Sequence, residues 1–510
     1  MAALLSGSAA WFFHRGGYTL SYGDALAHLN IARRLTDSRT PGFNQIGTVW
    51  LPLPHLVMAP FAARDDLWRS GLAGAIPCGL AFVLAAVFLG LSVKAITESR
   101  AAAVAAALLF AANPNVLYLQ SIPMTEALFA ACLATTLFFC CAFQRQPSLG
   151  YAAAAGVCAT AGAMTRYEGW FLLPFAGIYF LIAGGKRRWL AASLFAAFAL
   201  SGPLLWLFHN WWYFGDALEF YHGPYSPKAI QGAARYPGQS DWRQAWVQYS
   251  AAVRWFAGRP LLWVAGVGAV LHLTAFRTWA RSWWPVVLLA LPPVFYLWSL
   301  HSGATPIFVP DLWPNSYYNT RYAITAMPLV ALAAALGIAR LPLRAQRAAA
   351  LLAVGAAMAP WLLHPSPEAW IAWKESQVNS ETRRRWTSAA AEFLRANYRP
   401  GGGVFTTFGD VTGVFLEAGI PLRETLTWDN NPHWQAAVHR PDLFLWEEWA
   451  VALAGGPVQS CVLKAALNGP RYTLRKRILS KGAPAVEIYR RESAKGIRED
   501  PVYQGPRRDE

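Results

Sequence analysis

Apolar runs of about 20 residues, long enough to cross a hydrocarbon core of about 30 Å, recur through the first 363 positions of the chain. Eleven stretches have this character, roughly 2–20, 72–93, 101–119, 124–143, 149–165, 168–184, 189–211, 261–276, 283–300, 322–339 and 346–363. Short polar connections separate most of them. Two longer segments, 21–71 and 212–260, read as external loops of a transmembrane domain spanning 1–363. The pattern changes at His364-Pro365-Ser366-Pro367. Beyond it, Ser380 reads as the cap of a helix from Glu381 to about Asn397. Strands are expected at 403–408 and 441–446, with a helix to about Ala418 between them and a final hairpin at 471–478 and 484–490. The expected architecture is a polytopic α-helical membrane protein of about 11 transmembrane helices with a small extracytoplasmic α/β domain over 364–490. The charged residues 491–510 read as a disordered tail.

Composition agrees with that pattern. Hydrophobic residues make up 55% of the 510 and charged residues only 14%, where soluble domains carry about 25%. The 25 Trp and 19 Tyr suit membrane interfaces. The net charge of +16 forms no basic stripe on a soluble domain, so nucleic acid is not an expected partner; anionic lipid head groups are. Of six Cys, only Cys461 lies in the tail, which implies no disulfide framework there, and no CxxC motif marks a metal site. The first thirteen residues are apolar without a small-residue cleavage site, so a short uncleaved first span is expected.

With strict alternation, Lys94, Arg100, Arg145, Lys186, Arg187, Arg188, Arg277, Arg281, Arg340, Arg344 and Arg347 all fall on one side of the membrane. The positive-inside rule makes that side the cytoplasm and the protein a multi-pass component of the plasma (inner) membrane with a cytoplasmic amino terminus. The unusual polar residues then share the opposite face: the loop 21–71, the turn 113–124, the Arg166 junction, the loop 212–260, the segment 301–321 and the tail.

Four constellations there carry candidate chemistry. Asp24 follows the first span, with His28 one helical turn on; an acid at the mouth of a membrane cavity needs a role or a partner, and an N-cap would also satisfy it. Glu126 opens an otherwise apolar span after Ser121-Ile122-Pro123, facing either the helix dipole or a hydrated interior. Arg166 and Glu168 sit between two spans, as a helix-locking ion pair or as part of a site. Arg321, followed by Tyr322, precedes a span, where it can snorkel to head groups or hold a phosphate through its planar fork. Secondary candidates are His28, His55, Glu168, Tyr322 and His222. Segment 44–55, with Trp50, Pro52 and Pro54, cannot be one regular helix; it reads as a packed loop or a cradle for a lipid chain. No P-loop or cytoplasmic DxD motif indicates a nucleotide.

At these residues the chain resembles the GT-C superfamily of integral-membrane glycosyltransferases, which includes protein O-mannosyltransferases and lipid A aminoarabinose transferases. Gly23-Asp24-Ala25 matches the family's acid in the first external loop, Ser121-x-Pro-x-Thr-Glu126 its acid at the fourth span, and Arg321-Tyr322 its late Arg-Tyr. Members often pair two acids at the first site, where this chain has Ala25. The resemblance implies an inverting transfer from a polyprenyl-phosphate sugar to a glycan, lipid or protein hydroxyl. Asp24 would be the general base, Glu126 a catalytic-site carboxylate that orients the acceptor or binds a divalent ion, and Arg321 with Arg166 the donor-phosphate ligands. No cofactor is required by it, a divalent cation is possible, and no metal ligands are assigned. An oligosaccharyltransferase-like enzyme is a rival, although the tail's Trp446-Glu447-Glu448-Trp449 lacks the Trp-Trp-Asp-Tyr-Gly run of such enzymes. A transporter or flippase of lipid-linked sugars is the rival of another class; it would favour internal repeats with broken helices at the midplane, and the sequence shows neither repeats nor buried acids at mid-span. Reporters fused in the loop 21–71 and just after Arg321 are expected to report the same, non-cytoplasmic side; opposite sides would abolish the shared pocket.

Overall fold

A computed structural model describes residues 1–492 except 233, 274–278 and 410. Arg277 and residues 493–510 of the expected disordered tail lie outside the described residues, while Arg491 ends a strand. The described chain forms two compact units, one of Met1–Thr36 with Pro41–Glu381, the other of Asp37–Thr40 with the chain from Thr382 onward.

The first unit is helical. Among the described residues six helices are long and apolar enough to cross a membrane, and up to eight if each of two bent pairs counts as one span. The six are Leu72–Thr97, Glu126–Arg145, Gly185–Phe214, Ser282–Ser302, Thr320–Ile338 and Leu343–Leu363. The bent pairs are Arg100–Ala111 with Pro114–Gln120, at 66°, and Trp242–Ala257 with Arg259–Leu273, at 105°. Leu149–Ala163 and Tyr167–Ala183 are apolar helices of shorter length. The first expected span is a helix of only 14 residues, Ala2–Arg15.

The breaks in these helices have local causes. Asn113 accepts from the backbone N–H groups of Asn115 and Val116 at 3.0 and 3.3 Å, and Pro114 occupies the first helical position. A new helix therefore starts where a turn over 113–124 was expected; the turn itself is confined to 121–125. That turn lies against Leu72–Thr97 at Gly74, where an added Cβ would stand 2.3 Å from the Pro123 ring. Gly169 permits a similar approach, since a Cβ there would meet the Gly162 carbonyl at 2.7 Å. These two glycines hold the starts of Glu126–Arg145 and Tyr167–Ala183 close to their neighbours.

Segment 44–55 behaves as a packed loop up to Pro52. Ile46 and Leu51 pack on Trp206, and a helix begins at Leu53 with Pro54 in its first turn, where no N–H partner is lost. Ser380 caps nothing: the helix there runs unbroken from Ile371 to Asn397, because no proline or glycine interrupts 371–397. The compact units divide within this helix, after Glu381, and not at the prolines of 364–367.

The second unit is an α/β fold around five strands in the order β2-β1-β3-β5-β4, namely β1 Val404–Thr406, β2 Thr425–Leu426, β3 Trp449–Leu453, β4 Tyr472–Ile478 and β5 Val486–Arg491. β1 pairs in parallel with β2 and β3, whereas β5 runs antiparallel to β3 and β4. The strand expected at 441–446 is instead a short helix, Pro441–Phe444, and β3 follows it. Phe405 stacks on Trp434 at 4.8 Å in the core. Asp37–Thr40 belongs to this unit: Asp37 accepts from the Arg423 guanidinium at 3.0 Å, Ser38 and Thr40 accept from Asn430 at 3.0 and 3.1 Å, and Arg39 pairs with Glu447 at 2.6 Å.

Candidate active site

Three helices of the first unit begin near one another, and each brings a carboxylate in its first turn: Asp24 in Gly23–Arg34, Glu126 in Glu126–Arg145 and Glu168 in Tyr167–Ala183. A carboxylate there meets the positive end of the helix dipole and unpaired N–H groups. Asp24 is not the N-cap, a place held by Tyr22, whose side chain makes no capping hydrogen bond. Glu126 does accept from the Thr125 N–H at 3.1 Å.

Two arginines join these carboxylates into one network. Arg166 precedes its helix in extended conformation and donates from Nε to Glu168 at 2.5 Å, from Nη1 to Glu126 at 3.1 Å and to the Thr125 hydroxyl at 2.5 Å. Its Nη2 donates to the Tyr296 hydroxyl at 2.5 Å, and that hydroxyl donates onward to Glu168 at 3.0 Å. Arg321, in the 3₁₀ segment Thr320–Ala326, donates from Nη2 to Asp24 at 2.5 Å and places Nε 3.2 Å from Glu126. Glu126 thus bridges both guanidinium groups. Aromatic faces close the remaining sides: Arg321 lies 5.2 Å from the Tyr22 ring and 5.0 Å from Tyr322, and Arg166 lies 5.1 Å from Tyr322. Tyr322 in turn stacks on Tyr296 at 4.7 Å.

Access is uneven. The Glu126 and Glu168 side chains are 1% and 3% exposed and that of Arg321 8%, whereas Asp24 is 38% exposed. Asp24 is the acid open to an arriving molecule. His28 sits behind it on the same helix, its Nδ1 2.9 Å from His55 Nε2 and its ring 4.4 Å from Trp50. Burial, then the charges of Arg321 and Arg166, pushes His28 down to about 3, and burial with His28 and Arg34 holds His55 well below its usual range. This pair is neutral at physiological pH and packs the site from behind.

Asp24, Glu126, Arg166, Glu168, Arg321 and Tyr322 are therefore brought together. His222 is not: it is exposed and paired with Asp216 at 2.8 Å, a partner six residues away in its own loop. Arg321 is buried in ion pairs and does not snorkel. The sequence reading missed Tyr22, Tyr296 and Glu375. Tyr296 is a hydroxyl within an apolar span next to Pro292 and Pro293, the one signal that marked it. Glu375 lies beyond the last span, yet it accepts from the N–H groups of Asn319 and Thr320, both at 2.9 Å. Burial pushes its carboxyl up, opposed by Arg321 and the Thr320 donors. Among the described residues no group of three or more His, Cys, Asp or Glu side chains is arranged to hold a metal ion.

The fold has counterparts among solved structures. ArnT of Cupriavidus metallidurans bound to undecaprenyl phosphate superposes with a TM-score of 0.58 at 14% identity, over 95% of this chain and 97% of that one. The chain has the GT-C fold. Apo ArnT from the same organism gives 0.50 at 14% identity, over 91% of this chain and 93% of that chain. The apo oligosaccharyltransferase of Archaeoglobus fulgidus gives 0.50 at 12% identity, over 89% of this chain and 68% of that one. A family model described as dolichyl-phosphate-mannose-protein mannosyltransferase matches residues 68–213, a range that includes Glu126, Arg166 and Glu168. No curated protein matches the chain in sequence.

Charge burial and access separate the roles of these residues. Arg166→Met strands Glu126 and Glu168 in a dry environment and is expected to cost about 3–5 kcal/mol. Asp24→Asn keeps an oxygen that can accept from Arg321 and leaves Glu126 beside that guanidinium, so it is expected to cost less, about 1 kcal/mol. Thermal melting of the purified variants checks the ranking, and an Asp24→Asn protein less stable than Arg166→Met would contradict it.

Proposed function

We propose that this chain is an inverting glycosyltransferase that moves a sugar from a polyprenyl-phosphate carrier to an acceptor hydroxyl at the extracytoplasmic face of the inner membrane. The observation that carries the reading is the Arg321–Asp24 pair, a buried cation bound to the one partly open acid of the network. The GT-C fold supports it, as does ArnT, a protein of that fold with undecaprenyl phosphate bound.

In this reading Arg321 exchanges partners. A monophosphate entering the site takes the guanidinium that Asp24 now holds, which suits a planar fork built for bidentate oxyanions. Asp24, relieved of its cation, accepts the proton of the acceptor hydroxyl as that oxygen forms a bond to the anomeric carbon. The anomeric C–O bond to phosphate breaks with its electron pair, and polyprenyl phosphate leaves as an anion. Charge developing on the leaving oxygen is met by Arg321, backed by Arg166, in a site that excludes most water. Glu126 keeps both guanidinium groups in register, while Glu168 and Tyr296 fix Arg166. A lipid, glycan or protein can present the hydroxyl; each donates the same proton to Asp24.

Asp24→Asn is expected to lower transfer of labelled sugar from a polyprenyl-phosphate donor by about 10²–10⁴-fold, the usual contribution of a general base. Envelope glycans from cells lacking the chain, compared by mass spectrometry, supply the acceptor for that assay. Unchanged transfer by the Asn variant would remove Asp24 as the base.

A further inference from the structure

Position 375 follows the last apolar span in a stretch whose composition suits water, yet its side chain is 1% exposed. A carboxylate so placed requires donors. Oε1 accepts from the Asn319 N–H at 2.9 Å, and Oε2 accepts from the Thr320 N–H at 2.9 Å and the Thr320 hydroxyl at 2.5 Å. Two successive N–H groups aimed at one anion form an anion-binding concavity of the backbone, and Glu375 fills it. The residue that follows is Arg321.

The turn needs this hold. Asn319 has φ 55° and ψ 23°, a left-handed conformation that costs a residue with a Cβ roughly 1–2 kcal/mol, less for Asn than for most. Its side chain donates to the Pro306 carbonyl at 2.9 Å. Glu375 itself stands on a fixed support. The helix Ile371–Asn397 is tied beside it by the Ala372 N–H to Asn115 at 3.0 Å, by the Tyr118 hydroxyl to Ser376 at 2.7 Å, and by Asn379 to the Tyr317 carbonyl at 2.9 Å. Trp373 packs edge-on against Phe13 at 5.3 Å and Tyr18 at 5.0 Å.

We infer that Glu375 is a positioning residue for Arg321: it locks the Asn319-Thr320 turn and so sets where the guanidinium meets the donor phosphate. This rests on the reading of Arg321 as the phosphate ligand. The two effects of Glu375 on that ligand have opposite signs, which makes them separable. As a bare negative charge it repels an incoming phosphate, so Glu375→Gln would tighten binding. As a clamp it orients Arg321, and Gln would turn an NH2 group towards a backbone donor and loosen the turn.

The test is binding of sugar-free polyprenyl monophosphate to the full-length protein in lipid nanodiscs, normalised to folded protein. Glu375→Gln is expected to bind about tenfold more weakly, the equivalent of one lost charge-assisted hydrogen bond. Its donor KM should rise by a similar factor with the acceptor KM unchanged, a split that a purely structural role would not produce. Glu375→Asp, which keeps the charge on a shorter arm, should recover part of the loss. Thr320→Val keeps Glu375 and removes one donor, so it serves if the Gln variant fails to fold; about threefold weaker binding is expected. Equal or tighter binding by Glu375→Gln, or unchanged binding by Thr320→Val, overturns the inference. Absence of binding by the wild type overturns instead the reading of Arg321 on which it stands.

Discussion

Two guanidinium groups and three carboxylates, all but Asp24 nearly sealed from water, hold one another at the meeting point of three helix starts. Taking a single ion out of water costs several kcal/mol even after the protein relaxes, so none of these groups is tolerable alone. Each carboxylate sits where a helix dipole and free N–H groups favour it, and tyrosine rings lie against both arginines, Tyr22 and Tyr322 at Arg321 and Tyr322 at Arg166. Three acids against two bases leave one formal negative charge, offset in part by the helix ends. The helices cannot slide past one another without breaking this knot, and the glycines at 74 and 169 are the steric condition for closing it.

The same knot suits the proposed chemistry. A site that only locked helices would seal every member, whereas here Asp24 remains partly open while its partner is buried. Arg166, with four anchoring contacts on Glu126, Glu168, Thr125 and Tyr296, is the fixed cation. Arg321 has a replaceable contact at Asp24 and a permanent neighbour in Glu126, which suits a group that hands one oxyanion over for another. Preorganised charges in a dry pocket contribute to catalysis because they need not be reoriented as the reaction proceeds.

Much of this was legible in the sequence because the chain is so apolar. Each of the eleven expected spans overlaps a helix, single or paired, although among the described residues only six to eight are long and apolar enough to cross a membrane. Asp24, Glu126, Arg166, Glu168, Arg321 and Tyr322 stood out as charged or polar residues at span edges. Where charge is ordinary, the signal failed. Glu375 lay in no expected element, ahead of the helix read from Glu381, and only the fold reveals that the helix starts at Ile371 and packs its first turns against Asn115 and Tyr118. Residues 37–40 gave no hint of joining the second unit, since their partners lie nearly 400 positions away. Residues 441–446 read as a strand, but Pro441 is well placed to start a helix and Asp442 favours its first turn. His222 was chosen for its residue type, and its charge partner Asp216 lay within the same loop.

The account turns on whether Arg321 trades Asp24 for a lipid phosphate. Cryo-electron microscopy of the protein in nanodiscs with excess polyprenyl monophosphate tests this directly. Phosphate oxygens within about 2.7–3.2 Å of the Arg321 guanidinium, with the Asp24 carboxylate released from it, are the expected result. A lipid phosphate bound elsewhere, with the Asp24–Arg321 pair still closed, would contradict it.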